Sequence, residues 1–204
     1  MDPQDPGWGR QFDPDRLASL ELAMWKAYYR RQGPRLFRLL IRANREQARI
    51  GWLRAIVAAF WLAWPAVRFG RATGDYDRYA PEIARGYRLL GLPPSVDVDE
   101  VARRELRWWV VRREIGLAAG SAAGDAITAL YAALYSVPEA DVADAGRLRG
   151  LAAEVRDRGA TADPDGPTGP GLAYWPEVGR LLHGSYRSLR EALDGGSSEP
   201  AAGA

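Results

Sequence analysis

Two glutamates and two arginines stand where apolar residues are expected. With residues placed at about 100° per step on a helical wheel, Leu17, Leu20, Met24 and Tyr28 form one apolar stripe, and Glu21 falls among them. Further along, Leu36, Leu39, Leu40, Ala43, Ile50 and Val57 share a side with Gln47 and Arg54. A third stripe, Val101, Trp108, Val111 and Ile115, contains Glu105 and Arg112, with Trp109 beside them. A lone charge in a core is costly, so these groups are expected to neutralise one another, to bond tyrosine hydroxyls, or to face water or a ligand. Convergence between the first, second and fourth helices follows.

Besides long arginines that lie on the rim and snorkel to solvent, two outcomes fit that pattern. One is a closed salt-bridge network that fixes helix register. The other is a pocket for a small anionic or polar molecule: Arg54 and Arg112 hold an anionic group, Glu21 or Glu105 handles a proton, and Tyr28, Gln47, Trp108 and Tyr131 line the site. The composition leaves open whether such a pocket would catalyse.

Other chemistries are disfavoured by inventory. Cysteine is absent, which removes thiolate ligands and thiol nucleophiles. The single histidine, His183, lies with Arg187 and Arg190 opposite Val178, Leu182, Ser185 and Leu189, a position that favours exposure over catalysis. Paired Glu-x-x-His motifs, a P-loop, an acidic cluster for magnesium and a GxSxG elbow are all missing. No metal and no cofactor are expected. On the remaining helices, Arg149, Arg156, Ser185 and Tyr186 are weaker candidates for the polar centre.

The elements that must position these groups are helical. The pattern predicts an all-α, single-domain bundle of about seven helices spanning 13–193, between disordered segments 1–12 and 194–204. The helices run over about 15–32, 34–64, 77–90, 97–116, 121–135, 138–158 and 174–193, with Pro65 as a stop or kink. Residues 159–171 hold four glycines and three prolines and are expected to form a mobile loop. Gly116, Gly120 and Gly124 suggest a loop before Ser121. Ala55 to Val67 is uncharged and apolar on every side, which predicts a central helix. At thirteen residues the run is shorter than the roughly 18 a bilayer span needs, and an oligomer interface or an interfacial membrane segment are its alternatives.

Charge adds a second theme. The chain has 204 residues, 28 basic and 26 acidic, and Lys26 is its one lysine, a bias that suggests a GC-rich, bacterial genome. From Arg30 to Arg54 there are eight arginines against one acid, Glu46. Arg35, Arg38, Arg42, Arg45 and Arg49 line up as a positive ridge. No aromatic residues alternate with them to stack bases, so nucleic acid is disfavoured. The ridge and the tryptophan-rich helix instead suggest an acidic partner, another subunit or a membrane surface, with homo-oligomerisation left open. Residues 1–10 lack a basic segment followed by an apolar one, so a soluble, cytoplasmic protein is the default expectation.

Overall fold

A computed structural model of the chain describes residues 8–115, 120–162 and 174–195. Among the described residues there are eight α-helices, one 3-10 turn and no strand. The helices are α1 Pro14–Tyr29, α2 Gly33–Ala48, α3 Trp52–Phe69, α4 Ala80–Leu90 after the turn Tyr76–Tyr79, α5 Val98–Ile115, α6 Gly120–Tyr135, α7 Glu139–Ala162 and α8 Tyr174–Gly195. Each packs on its neighbours in the chain, and α8 packs on α1, so the eight helices close into a ring. Leu17, Leu106, Ile127, Leu130, Val178, Leu182 and Leu189 are buried in its core.

Local chemistry sets the boundaries. Asp13 caps α1 by accepting from the backbone N–H groups of Asp15 and Arg16, and Pro14 occupies the first turn, where its missing N–H costs nothing. Asp97 does the same for Asp99 and Glu100 at the start of α5. Gly91 ends α4 with a φ of +74°, a left-handed conformation that suits glycine.

The stretch expected as one helix from Pro34 to Trp64 is two. Arg49 adopts a left-handed φ of +49°, and Gly51 precedes the first turn of α3. That conformation costs roughly 1 to 2 kcal/mol for a residue with a Cβ. It is offset by a bond from Arg49 Nη2 to Gln11 O and by the burial of Ile50. Pro65 does not stop the chain; it lies buried inside α3, which continues to Phe69.

Of the spaced glycines, Gly124 is a contact between helices. Gly124 lies within α6, and a Cβ added to Gly150 of α7 would sit 2.6 Å from Gly124 N. Gly116 falls outside the described residues, as do most of the loop and tail expected at 159–171 and 194–204. Trp8 and Phe12, inside the segment read as disordered, are buried, and Trp8 Nε1 donates to Leu90 O at 3.0 Å.

The apolar helix is not central. α3 packs on α2 and α4 through Ala55, Ala58 and Ala59, which are buried, and through Leu62 and Phe69, while most of its other bulky side chains turn outward. Leu53 is 83% exposed, Val67 58%, Phe60 47% and Trp64 46%. All-round apolar composition identified an unusual helix but could not say which side meets the bundle. Close approach of α4, where a Cβ on Gly86 would lie 2.7 Å from the Leu62 side chain, selects the alanine side.

Candidate functional site

Three places merit a chemical account: a polar centre inside the ring, a surface cluster between α1 and α8, and the outer face of α3.

The polar centre begins with Glu21, which is 2% exposed on α1. Its Oε1 accepts from Arg149 Nε at 2.8 Å and Nη2 at 2.7 Å and from Trp25 Nε1 at 3.1 Å, and its Oε2 accepts from Tyr186 Oη. These contacts crowd on Oε1, Oε2 takes one of them, and burial closes the carboxylate off from solvent. Burial, then the neighbouring Glu21 charge, pushes the Tyr186 phenol well above its ordinary range. For Arg149 burial is the largest effect and opposes the charge, yet Glu21, Tyr131, Tyr186 and Glu105 together outweigh it, so the guanidinium stays protonated.

Glu105 on α5 is only partly buried and receives three neutral donors: Tyr87 Oη at 3.0 Å, Trp109 Nε1 at 3.0 Å and Trp108 Nε1 at 3.3 Å. Trp108 also lies under two cations, with Arg149 5.4 Å and Arg112 5.8 Å from its ring. Tyr131 is buried above Arg149, and its hydroxyl makes no hydrogen bond of ordinary geometry, though Arg149 and Ser185 lie nearby. Burial holds its phenol above the usual value as well.

Arg112 finds its partner on α7. Its Nη2 donates to both oxygens of Asp157 at 2.8 Å and to Tyr29 Oη at 3.2 Å. Arg156 donates to the same Asp157 at 2.8 Å, and its guanidinium carbon lies 3.2 Å from the centre of the Tyr29 ring.

Of the expected site residues, Glu21, Glu105, Trp108, Arg112 and Tyr131 are brought to this region. Three are not. Tyr28 is 54% exposed; its neighbour Tyr29 takes the inward position one step round α1. Arg54 is exposed on α3 and donates to Leu89 O at the end of α4, because the break at Arg49 resets the helical phase on which its inward position rested. Gln47 reaches Tyr135 Oη at 2.7 Å, at the edge of the region. The convergence expected between the first, second and fourth helices is therefore corrected: the balancing cation and acid, Arg149 and Asp157, come from α7. Asp157 had no signal in the sequence. Arg149, Arg156 and Tyr186 showed one only as wheel positions bordering the core.

The surface cluster resembles a relay. His183 Nδ1 lies 2.9 Å from Asp15 Oδ1, and Ser19 Oγ is 3.4 Å from His183 Nε2. Two further parts of a hydrolytic centre are missing from this cluster. Ser19 sits in the middle of α1, where backbone N–H groups are spent within the helix, so none is free to hold an oxyanion. Asp15 is also shared with Arg187 at 2.8 Å; Arg187 and then His183 lower its carboxyl to about 2. The cluster pins α8 to α1.

The outer face of α3 is the third feature. Leu53, Ile56, Val57, Phe60, Trp64 and Val67 follow a three-four spacing and are all exposed. Phe60 stacks on Trp64 at 6.0 Å. Arginines rim the stripe: Arg45 lies 3.9 Å over Trp52, Arg85 4.9 Å over Trp61, and Arg54 and Arg68 stand at its two ends. Only Arg68 among these four makes an ion pair, with Glu82. α3 is the one helix among the described residues long and apolar enough to cross a membrane by length and composition, and 28% of it is buried.

Comparison of the chain with protein-family models, with curated proteins and with solved structures found no match.

Proposed function

We propose that the protein is a peripheral membrane-binding protein that docks on anionic lipid through α3. The observation that carries this is the reversed polarity of α3: Ala55, Ala58 and Ala59 face the bundle, while Leu53, Ile56, Val57, Phe60, Trp64 and Val67 face out. A contiguous exposed apolar stripe of this kind marks an interaction site. From Leu53 to Val67 it runs about 21 Å at 1.5 Å per residue.

Charge selects the occupant. A second copy bound face to face would bring Arg45, Arg54 and Arg85 against the same rim, and Glu82 is already paired with Arg68. An anionic bilayer accepts both features, with acyl chains against the stripe and phosphates against the arginines. Further burial of six half-exposed side chains contributes on the order of 1 kcal/mol each. Each arginine near an anionic surface adds about 1 kcal/mol, which salt screens. Apolar contact thus dominates, and the arginines decide which lipid is bound. A transmembrane orientation fits less well, because α3 would have to carry α4, packed along its alanine side, into the hydrocarbon.

The polar centre supports a structural part in this reading. Glu21 is buried and paired with Arg149. Flotation with vesicles of phosphatidylglycerol and phosphatidylcholine tests the proposal. Binding to the mixed vesicles, weaker in high salt, absent on pure phosphatidylcholine and lost in Phe60→Ser/Trp64→Ser, is expected. A protein that stays in solution with both vesicles, or that dimerises through α3, would overturn it.

A further inference from the structure

At the junction of α1, α5, α7 and α8 the charges do not balance. Arg112 and Arg156 share one carboxylate, Asp157, and Lys26 stands close by, with its Nζ 5.6 Å from the Trp175 ring and no acid partner among the described residues. Trp175 in turn lies 6.3 Å from Tyr29, the ring on which Arg156 stacks. Arg112 and Arg156 thus share one acid beside Tyr29, Trp25 and Trp108, with Trp175 and Lys26 beyond the Tyr29 ring. This group is apart from the Glu21–Arg149 pair.

The unmatched atoms here have one polarity. Arg156 Nε and Trp175 Nε1 are both buried and both lack an acceptor among the described residues. Trp175 is 4% exposed, while the Arg112 and Arg156 side chains are 18% and 16% exposed. Arg112 makes its hydrogen bonds through Nη2 alone, so Nε and Nη1 are available to another acceptor. A buried donor without an acceptor is unfavourable, and two arginines on one carboxylate leave positive charge uncompensated. Water could accept from single donors but would leave that charge in place. An anion satisfies both.

We infer that this junction binds a small organic anion whose carboxylate or phosphate is held by Arg112, Arg156 and the Trp175 N–H, and whose apolar, planar body lies among the aromatic rings. Guanidinium groups bind such oxyanions with charge-assisted hydrogen bonds, which strengthen where exposure is low. Asp157 holds the two guanidiniums in place and tempers the affinity. The site is independent of the α3 face.

The test is a tryptophan-fluorescence titration of the full chain, at fixed ionic strength, with phenyl phosphate, benzoate and inorganic phosphate. A saturable response is expected, with an aromatic anion tighter than inorganic phosphate; whichever of phenyl phosphate and benzoate binds more tightly identifies the head group. Arg156→Gln weakens that anion by about tenfold or more, as loss of a charged hydrogen bond implies. Trp175→Phe keeps the ring, removes the donor and also weakens binding, which preserves the test if Arg156→Gln does not fold. Arg187→Gln, a surface change of equal charge, leaves binding unaltered. No saturable response to any of the three anions, or a response that survives both Arg156→Gln and Trp175→Phe, overturns the inference.

Discussion

Glu21 on α1 and Arg149 on α7 stand 128 positions apart in the chain and 2.7 Å apart in space. The pair joins two helices across the ring, and Trp25 and Tyr186 complete the glutamate's hydrogen bonds. Removing one partner from such a pair leaves a buried charge uncompensated. Arg149→Met is therefore expected to destabilise the fold by about 3 to 5 kcal/mol, as measured by urea denaturation. Glu21→Leu/Arg149→Met should be less destabilised than Arg149→Met alone. A double variant that is simply additive would show that the two groups are not coupled.

The buried phenols give alkaline instability. Burial is the first cause holding Tyr87, Tyr131, Tyr135 and Tyr186 above the ordinary tyrosine value, and each acts as a neutral group in the fold. A phenol raised in the folded state contributes stability that is whole below its unfolded value, near 10, and is lost as pH rises toward the folded value. Phenolate absorbance should thus appear in two stages above pH of about 10, with these four tyrosines ionising together with unfolding. A single stage that precedes the loss of helicity contradicts this.

Gly150→Ala is a test of the α6–α7 contact. The new methyl would meet the backbone of Gly124, at 2.6 Å from N and 2.7 Å from Cα, where no flexible side chain can give way. A loss of about 2 kcal/mol in denaturation is expected. Gly51→Ala, with nothing within 4 Å of the added Cβ, serves as the comparison and should cost much less.

Ser19 should be inert despite its histidine. With no backbone donor free for an oxyanion, treatment with phenylmethanesulfonyl fluoride is expected to leave Ser19 unmodified in a mass spectrum of the peptides. A stoichiometric adduct on Ser19 would reverse the assignment of this cluster as a clip between helices.

The sequence exposed the architecture better than the site. Apolar spacing located most helices, because that signal acts within one or two turns. The break at Arg49 was hidden, since a left-handed arginine is held by contacts with Gln11 and Ile50 that no local pattern encodes. Arg54 was misplaced as a direct result. Glu21, Glu105 and Arg112 were visible as charges on apolar stripes. Of their partners, Arg149 showed only as a position bordering the weak, alanine-rich stripe of a distant helix, and Asp157 on that helix did not show. The most telling feature, the outward face of α3, was legible only as composition: its alanines and its bulky residues are both apolar, and only packing distinguishes them.

The docking of α3 is measured most directly by tryptophan quenching in phosphatidylglycerol vesicles whose acyl chains carry bromine near the headgroup. The account predicts strong quenching on binding, because Trp52 and Trp64 are exposed on the docking helix. It further predicts that Trp52→Phe/Trp61→Phe/Trp64→Phe still binds but loses most of that quenching. A protein that binds these vesicles without quenching, or whose quenching survives the triple replacement, would contradict insertion through α3.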